Sequence, residues 1–171
     1  MTVGTLHEPM GHPRVQGFID RVPAVYNSAD KSDGFIARSD RNLETLEHSW
    51  GPIVIPKCFG DGSVEMNPTT LSLWEDIESV AAYAYHGAHG DAMPGRKEWF
   101  TTHDLPESCA WWVEEGHQMS WQEAADRLDH LFEHGPTAHS FTIKKPFDAA
   151  GNAASLRAEL VKEKIAKNAN L

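Results

Sequence analysis

The sequence predicts an α+β fold, a ferredoxin-like antiparallel sheet with helices on one face. Three observations predict it. Residues 69–74 alternate polar and apolar with period two, as a half-buried strand does. Ser120-Trp-Gln-Glu123 is a capping box opening an apolar helical pattern that closes at Gly135-Pro136. Short apolar runs and helical runs alternate around these two, so the order reads β-α-β twice. The sheet face left without helices would be closed by a second copy packing sheet on sheet, which makes the expected assembly a homodimeric α+β barrel.

Each element has its own warrant. Residues 2–6 read as a short first strand. Pro13, tolerated in a first turn, opens a pattern in which Val15, Phe18, Ile19, Val22 and Tyr26 recur at helical spacing. Pro23 should kink or split that run. The apolar stretch 34–38 follows a turn and reads as a strand. Residues 39–67 carry too many prolines and glycines for a long element, with 53–55 as a short strand at most, and form a candidate lid or pocket wall. Asp76 caps a helix expected over 79–89, ended by Pro94-Gly95, and 97–100 add a helical turn. Residues 109–113 read as a strand, so Trp111 and Trp112 should face opposite sides. Residues 141–143 make the last strand. The domain is expected to end near residue 146, and 147–171 form a linker and an amphipathic helix carrying Leu156, Leu160, Val161 and Ile165.

Composition excludes several classes. The chain has 171 residues, 40% of them hydrophobic, which suits one domain. No apolar run approaches the roughly 20 residues of a membrane span, and residues 1–14 lack the apolar stretch of a signal peptide. Asp and Glu number 25 against 15 Lys and Arg, a field that repels a nucleic-acid backbone. Two cysteines give no disulfide framework and agree with a reducing, cytoplasmic setting. Six tryptophans and ten histidines are the unusual counts, and they suit a pocket for a flat, partly polar small molecule.

Four stretches carry a family resemblance: Leu71-Ser-Leu-Trp-Glu75 leading into Tyr85-His-Gly-Ala-His89; Met93 to Phe100, with Arg96, Glu98 and Trp99; Trp111-Trp-Val-Glu-Glu-Gly-His117; and Gly135-Pro-Thr137 with Phe141-Thr142. With Thr2 to Leu6, Pro9, Pro13, Arg14 and Phe18, they resemble the DUF3291 family, close to the antibiotic-biosynthesis-monooxygenase group of dimeric α+β barrels. The resemblance covers most of residues 2–143. It departs at Pro94-Gly95, where the family has more basic residues, and it leaves the insertion 43–62 and the tail from Phe147 without counterparts.

The candidate site residues follow from both readings. His89 is the first choice for a general acid or base, a role the resemblance places on a helix side chain, and His117, on a loop after a strand, is the second. His86 lies three residues before His89 and would share its helix face. Arg96 is expected to position an anionic group or an enol oxygen. Trp74, Tyr85, Trp99, Trp111 and Trp112 are the candidate substrate-binding aromatics. No metal motif is present. The expected function is a cofactor-independent tailoring enzyme on an aromatic or polyketide-like small molecule, by cyclisation, isomerisation, dehydration, decarboxylation or oxygenation. The alternatives are haem binding through His89 or His86, as in some barrels of the resembled superfamily, and a non-catalytic small-molecule binding module.

Overall fold

The fold is described from a computed structural model, over residues 1–42, 44, 45 and 47–169, the side chains of Ala88 and Ala92 excepted. It is a mixed α+β structure in which the strands are short. The residues fall into two compact units interleaved in sequence. One takes Met1–Gly4, Arg38–Ser72 and His103–Ser155; the other takes Thr5–Ala37, Leu73–Thr102 and the chain from Leu156.

In the first unit, β1 (Thr2–Val3) pairs antiparallel with β3 (Thr69–Thr70), Thr2 opposite Thr70. The other edge of β1 is taken by irregular chain. Val3 N–H donates to the Glu107 carbonyl at 2.9 Å, and Cys109 N–H to that of Met1 at 3.0 Å. Ala110 and Phe141 exchange both backbone hydrogen bonds, at 2.8 and 2.9 Å. Helix α6 (Trp121–His134) lies on this framework. Its Trp121, Ala124, Leu128 and Leu131, at helical spacing, pack with Met1, Val3, Leu71 and Cys109 as one core. The Trp121 indole N–H donates to Ser39 Oγ at 3.0 Å, so the largest core side chain buries no unsatisfied donor.

The second unit holds most of β2 (Phe35–Arg38) and of β4 (Ser72–Trp74), which pair with each other. Short helices α1 (Gln16–Ile19) and α5 (Arg96–Trp99) contribute Phe18 and Trp99 to a small core with Leu6 and Val15, and α2 (Val22–Lys31) packs against α4 (Gly87–Ala92). Helix α3 (Ile77–Ala84) is capped by Asp76, whose carboxylate accepts the Ser79 N–H at 2.7 Å. Helix α7 (Ala158–Asn168) packs on α3. No described helix is long and apolar enough to cross a membrane.

Several expectations are corrected. The described strands form two two-stranded sheets, and no closed barrel is present among them. The stretch 109–113 makes bridges rather than a strand, and 141–143 likewise. Residues 53–55 are irregular. The period-two segment 69–74 is split at Leu71, whose carbonyl turns to accept from Ser39 N–H at 2.9 Å. The helical run is split beside Pro23, as expected, but not at the proline itself. Pro23 sits in the first turn of α2, where its missing N–H costs nothing, and the break falls before it at Asp20–Arg21. The helix expected over 79–89 is two helices. His86 is extended at the cap of α4, Gly87 has φ +58°, and Gly90 approaches the Tyr85 carbonyl where a β-carbon would collide with it. His86 and His89 therefore do not share one helix face. Leu43 and Leu46 of the 43–62 insertion lie outside the described residues.

Candidate functional site

Helix α6 begins where the capping box predicts. Ser120 Oγ accepts the Glu123 N–H at 3.1 Å. The Glu123 carboxylate is engaged elsewhere. One oxygen accepts from His117 Nε2 at 2.6 Å, the other from Arg127 Nη2 at 2.9 Å, one helical turn along. A carboxylate with two such partners is anchored at both oxygens. Burial works against its charge, but the hydrogen bonds from His117 and Arg127 outweigh it and hold the Glu123 carboxyl below its ordinary range.

Arg127 is held from three directions. Besides Glu123, its Nη1 donates to the His139 carbonyl at 2.5 Å and to His139 Nδ1 at 3.0 Å. Its guanidinium lies over the Trp111 ring, 5.7 Å from the centroid. Trp111 packs on the α6 core, whereas Trp112 lines a cleft and fixes its ring by donating from Nε1 to the Phe147 carbonyl at 2.7 Å. The cleft has a volume of about 420 Å³ and is open to solvent. Trp112, Val113, Gly116, His117 and Arg127 line it, with Glu114 and Glu115 on the same stretch. Gly116, at φ +81°, supplies the left-handed turn that brings His117 round to α6.

This arrangement fixes proton positions. A carboxylate with Arg127 on its other oxygen only accepts, so His117 donates from Nε2, and in the neutral ring Nδ1 is bare. A histidine oriented by a carboxylate, with its second nitrogen free to take a proton, is the arrangement of a general base.

The other predicted residues belong to the second unit. His89 Nδ1 lies 2.8 Å from the Ala84 carbonyl, which also only accepts, so Nε2 is its bare nitrogen. Its ring is 5.1 Å from Tyr83, which continues to Trp74 at 5.2 Å and Phe35 at 5.1 Å. His86 and Tyr85 are exposed. Arg96 opens α5. Trp99 is a core residue, 6% exposed between Leu6 and Val15, with Arg21 over its ring. The structure thus groups His117, Trp111 and Trp112 in one place, and His89, Tyr83 and Trp74 in another. Both cysteines are held as thiols rather than thiolates. Burial, and then Asp129, push the Cys58 thiol up to about 12, and burial pushes Cys109 up as well. Among the described residues, no three His, Cys, Asp or Glu side chains are placed to hold a metal ion.

Glu123, Arg127 and His139 were not among the predicted site residues. The capping box had placed Glu123 at a helix start, and its four-residue spacing to Arg127 was the signal that could have shown the pair. His139 joins them only through the turn after α6.

Fold and site together define a mixed α+β protein with an open cleft, walled by a carboxylate-oriented histidine and an arginine anchored through both terminal nitrogens. The chain belongs to the DUF3291 family, a domain of unknown function, whose pattern matches residues 1–158. No curated protein and no solved structure matches the chain.

Proposed function

We propose that this protein is a cofactor-independent enzyme that moves a proton on an aromatic or polyketide-like small molecule, with His117 as the acid–base residue. The observation that carries the reading is the His117–Glu123 pair on the wall of the 420 Å³ cleft. His117 Nδ1 would take a proton from carbon next to a carbonyl. Glu123, kept ionised by Arg127, would stabilise the imidazolium that forms. Trp112, its ring fixed by Phe147, offers a flat apolar surface for the substrate. Several outcomes share this first step, among them cyclisation, isomerisation and dehydration.

The proposal extends to the assembly. Three of the observed pairings, β1 with β3, β1 with residue 108, and β2 with β4, are ones that a ferredoxin-like sheet requires. That supports a homodimeric barrel, in which a partner would cover strand positions such as Ile36, now 54% exposed. Light scattering at micromolar concentration tests it, and a monomer would refute it.

The test of activity is exchange of carbon-bound protons for deuterium in aryl β-dicarbonyl compounds, followed by NMR. The protein should accelerate exchange, and His117→Ala should slow it about 100-fold or more. Undiminished exchange in that variant would remove His117 from the mechanism. Tight binding without exchange would favour a binding module. A second reading, haem on His89, is favoured by the commitment of Nδ1 to Ala84, which leaves Nε2 to ligate. A Soret band lost in His89→Ala would support it, and an unchanged spectrum on haem addition would sink it.

A further inference from the structure

We propose that His139 is the positioning residue of this array, and that it holds Arg127 in place only while its ring is neutral. The inference rests on the His117 reading, because it concerns the groups that anchor Glu123.

The argument starts from what a guanidinium can do. Arginine only donates hydrogen bonds. Arg127 Nη1 lies 3.0 Å from His139 Nδ1, so that nitrogen must be the bare one, accepting. The same Nη1 donates to the carbonyl of His139 at 2.5 Å. One turn of chain thus presents two acceptors to one guanidinium nitrogen. A protonated ring carries hydrogen on both nitrogens. It would set N–H against N–H and cation against cation, and one of the two acceptors would become a repulsive neighbour.

The groups that face His139 come from helix α6, and most favour the neutral ring. The His130 ring is edge-on at 4.6 Å, and His134 stacks on His130 at 4.3 Å. Only Glu123 opposes them. Burial first, then Arg127 and His130, depress the affinity of His139 for a proton below its ordinary value. The turn itself is fastened at Thr137, whose hydroxyl meets His130 Nε2 at 3.0 Å and the His139 N–H at 3.3 Å. The backbone after His139, paired with Ala110 through Phe141, brings no charge.

The consequence has a definite sign. A histidine whose folded-state proton affinity is depressed contributes stability that is full above the ordinary value of 6.5. That contribution is lost as pH falls through the folded value. Acidification should therefore detach Arg127 from the turn, and with it one of the two supports of Glu123. Nothing in the sequence pattern marks His139 for this role, since it is one of ten histidines and lies outside every helix.

The test uses the full chain with nitrogen-labelled arginine and histidine, followed by NMR through the histidine titration range. The Arg127 guanidinium signal should move together with the His139 ring, at one midpoint below 6.5. In His139→Gln, whose amide oxygen accepts at every pH, Arg127 should hold its neutral-pH position throughout. In His139→Ala it should be displaced at every pH. An Arg127 signal that still titrates in His139→Gln would overturn the proposal, as would a wild-type His139 that titrates without moving Arg127. The readout needs no substrate. A loss of deuterium exchange in His117→Ala would stand whatever Arg127 does, so the two readings fail separately.

Discussion

Two networks of charged side chains, one in each compact unit, use the same chemistry in different surroundings. In the second unit, Lys164 reaches from α7 to Asp33 at 3.0 Å and Asp76 at 3.5 Å, with its side chain 5% exposed. Beside it, Glu78 of α3 takes three hydrogen bonds from Arg157, all at 3.0 Å, with 4% exposure. In the first unit, Glu123 and Arg127 keep about a fifth of their side-chain surface and His117 keeps 36%. In the more buried network Asp33, Asp76 and Arg157 keep 30%, 20% and 65% of their side-chain surface, but its carboxylates are taken up by Arg157 and Lys164 and none lines the cleft. The other leaves a ring nitrogen and a guanidinium edge on a cleft. Its members should therefore govern chemistry, while those of the buried network govern stability, because a buried charge that loses its partner is uncompensated and an exposed one is rescued by water.

The largest expected effect is at Gly34, which stands where α3 and α7 come closest to the chain before β2. Its φ is +78°, and a β-carbon there would overlap Ser79 Oγ and lie 3.3 Å from Lys164 Nζ. Gly34→Ala should cost about 3 kcal/mol or more, from overpacking and the left-handed backbone together, read as a fall in the denaturation midpoint. A loss below about 1 kcal/mol would mean the network is looser than its distances imply.

Lys164→Met comes next. It keeps the apolar stem and leaves Asp33 to Lys167 at 3.5 Å and Asp76 to Arg157 at 4.0 Å, at a cost of about 2 kcal/mol, less than for a fully buried pair. The same variant sharpens the pH behaviour. Hydrogen bonds from Lys164 hold Asp33 below its ordinary 3.8, and those from Arg157 hold Glu78 below its ordinary 4.5. Groups shifted down contribute stability above those values and lose it as pH falls through the folded ones. Wild type should therefore lose stability on acidification below about 4.5, and Lys164→Met should flatten the part that belongs to Asp33. An unchanged acid limb in the variant would break the assignment.

Gly116→Ala tests the other unit. No atom lies within 4 Å of the added β-carbon, so the whole effect comes from φ +81°. It should cost about 1 kcal/mol and swing His117 away from Glu123, visible as a change in the His117 ring signals. Retention of those signals would show that the turn does not position the histidine.

How much of this was legible beforehand depends on the range of the interactions involved. The N-caps at Ser120 and Asp76 are local and both appear as expected, whereas the Glu123 side chain of the expected capping box is turned to His117 and Arg127 instead. The apolar spacing of α6 is also local, and it delivered the core. The family resemblance, read on Trp111 to His117 and Gly135 to Thr142, agrees with the match over residues 1–158. What was not legible is tertiary. Period-two patterning cannot show that Leu71 gives its carbonyl to Ser39 and splits a strand. Helical spacing of His86 and His89 cannot show that Gly87 and Gly90 fold the chain back between them. Nothing in the spacing of α7 singles out Lys164, because its partners Asp33 and Asp76 lie 131 and 88 residues earlier in the chain. Trp99 and Trp112 have the same side chain, yet one is core and the other lines a cleft, a difference set by what packs on each.

The smallest expected effect on stability, and the one that most sharply separates the two networks, is Glu123→Gln. The cap bond runs from the residue 123 backbone N–H to Ser120 Oγ and needs no carboxylate, so the start of α6 should survive. Glutamine also fills the same space between His117 and Arg127. Stability should stay within about 1 kcal/mol of wild type, as for other half-exposed ion pairs. Chemistry should not be spared. A neutral amide cannot stabilise the imidazolium, and its NH₂ group can confront the His117 Nε2–H, forcing the ring to turn. Deuterium exchange should fall about tenfold or more with little change in melting temperature. Lys164→Met should do the reverse, lowering the melting temperature while the folded protein exchanges at the wild-type rate. If Glu123→Gln instead unfolds the protein and spares exchange, the His117 array is a structural clasp like the one that docks α7, and the cleft loses its claim to be the site.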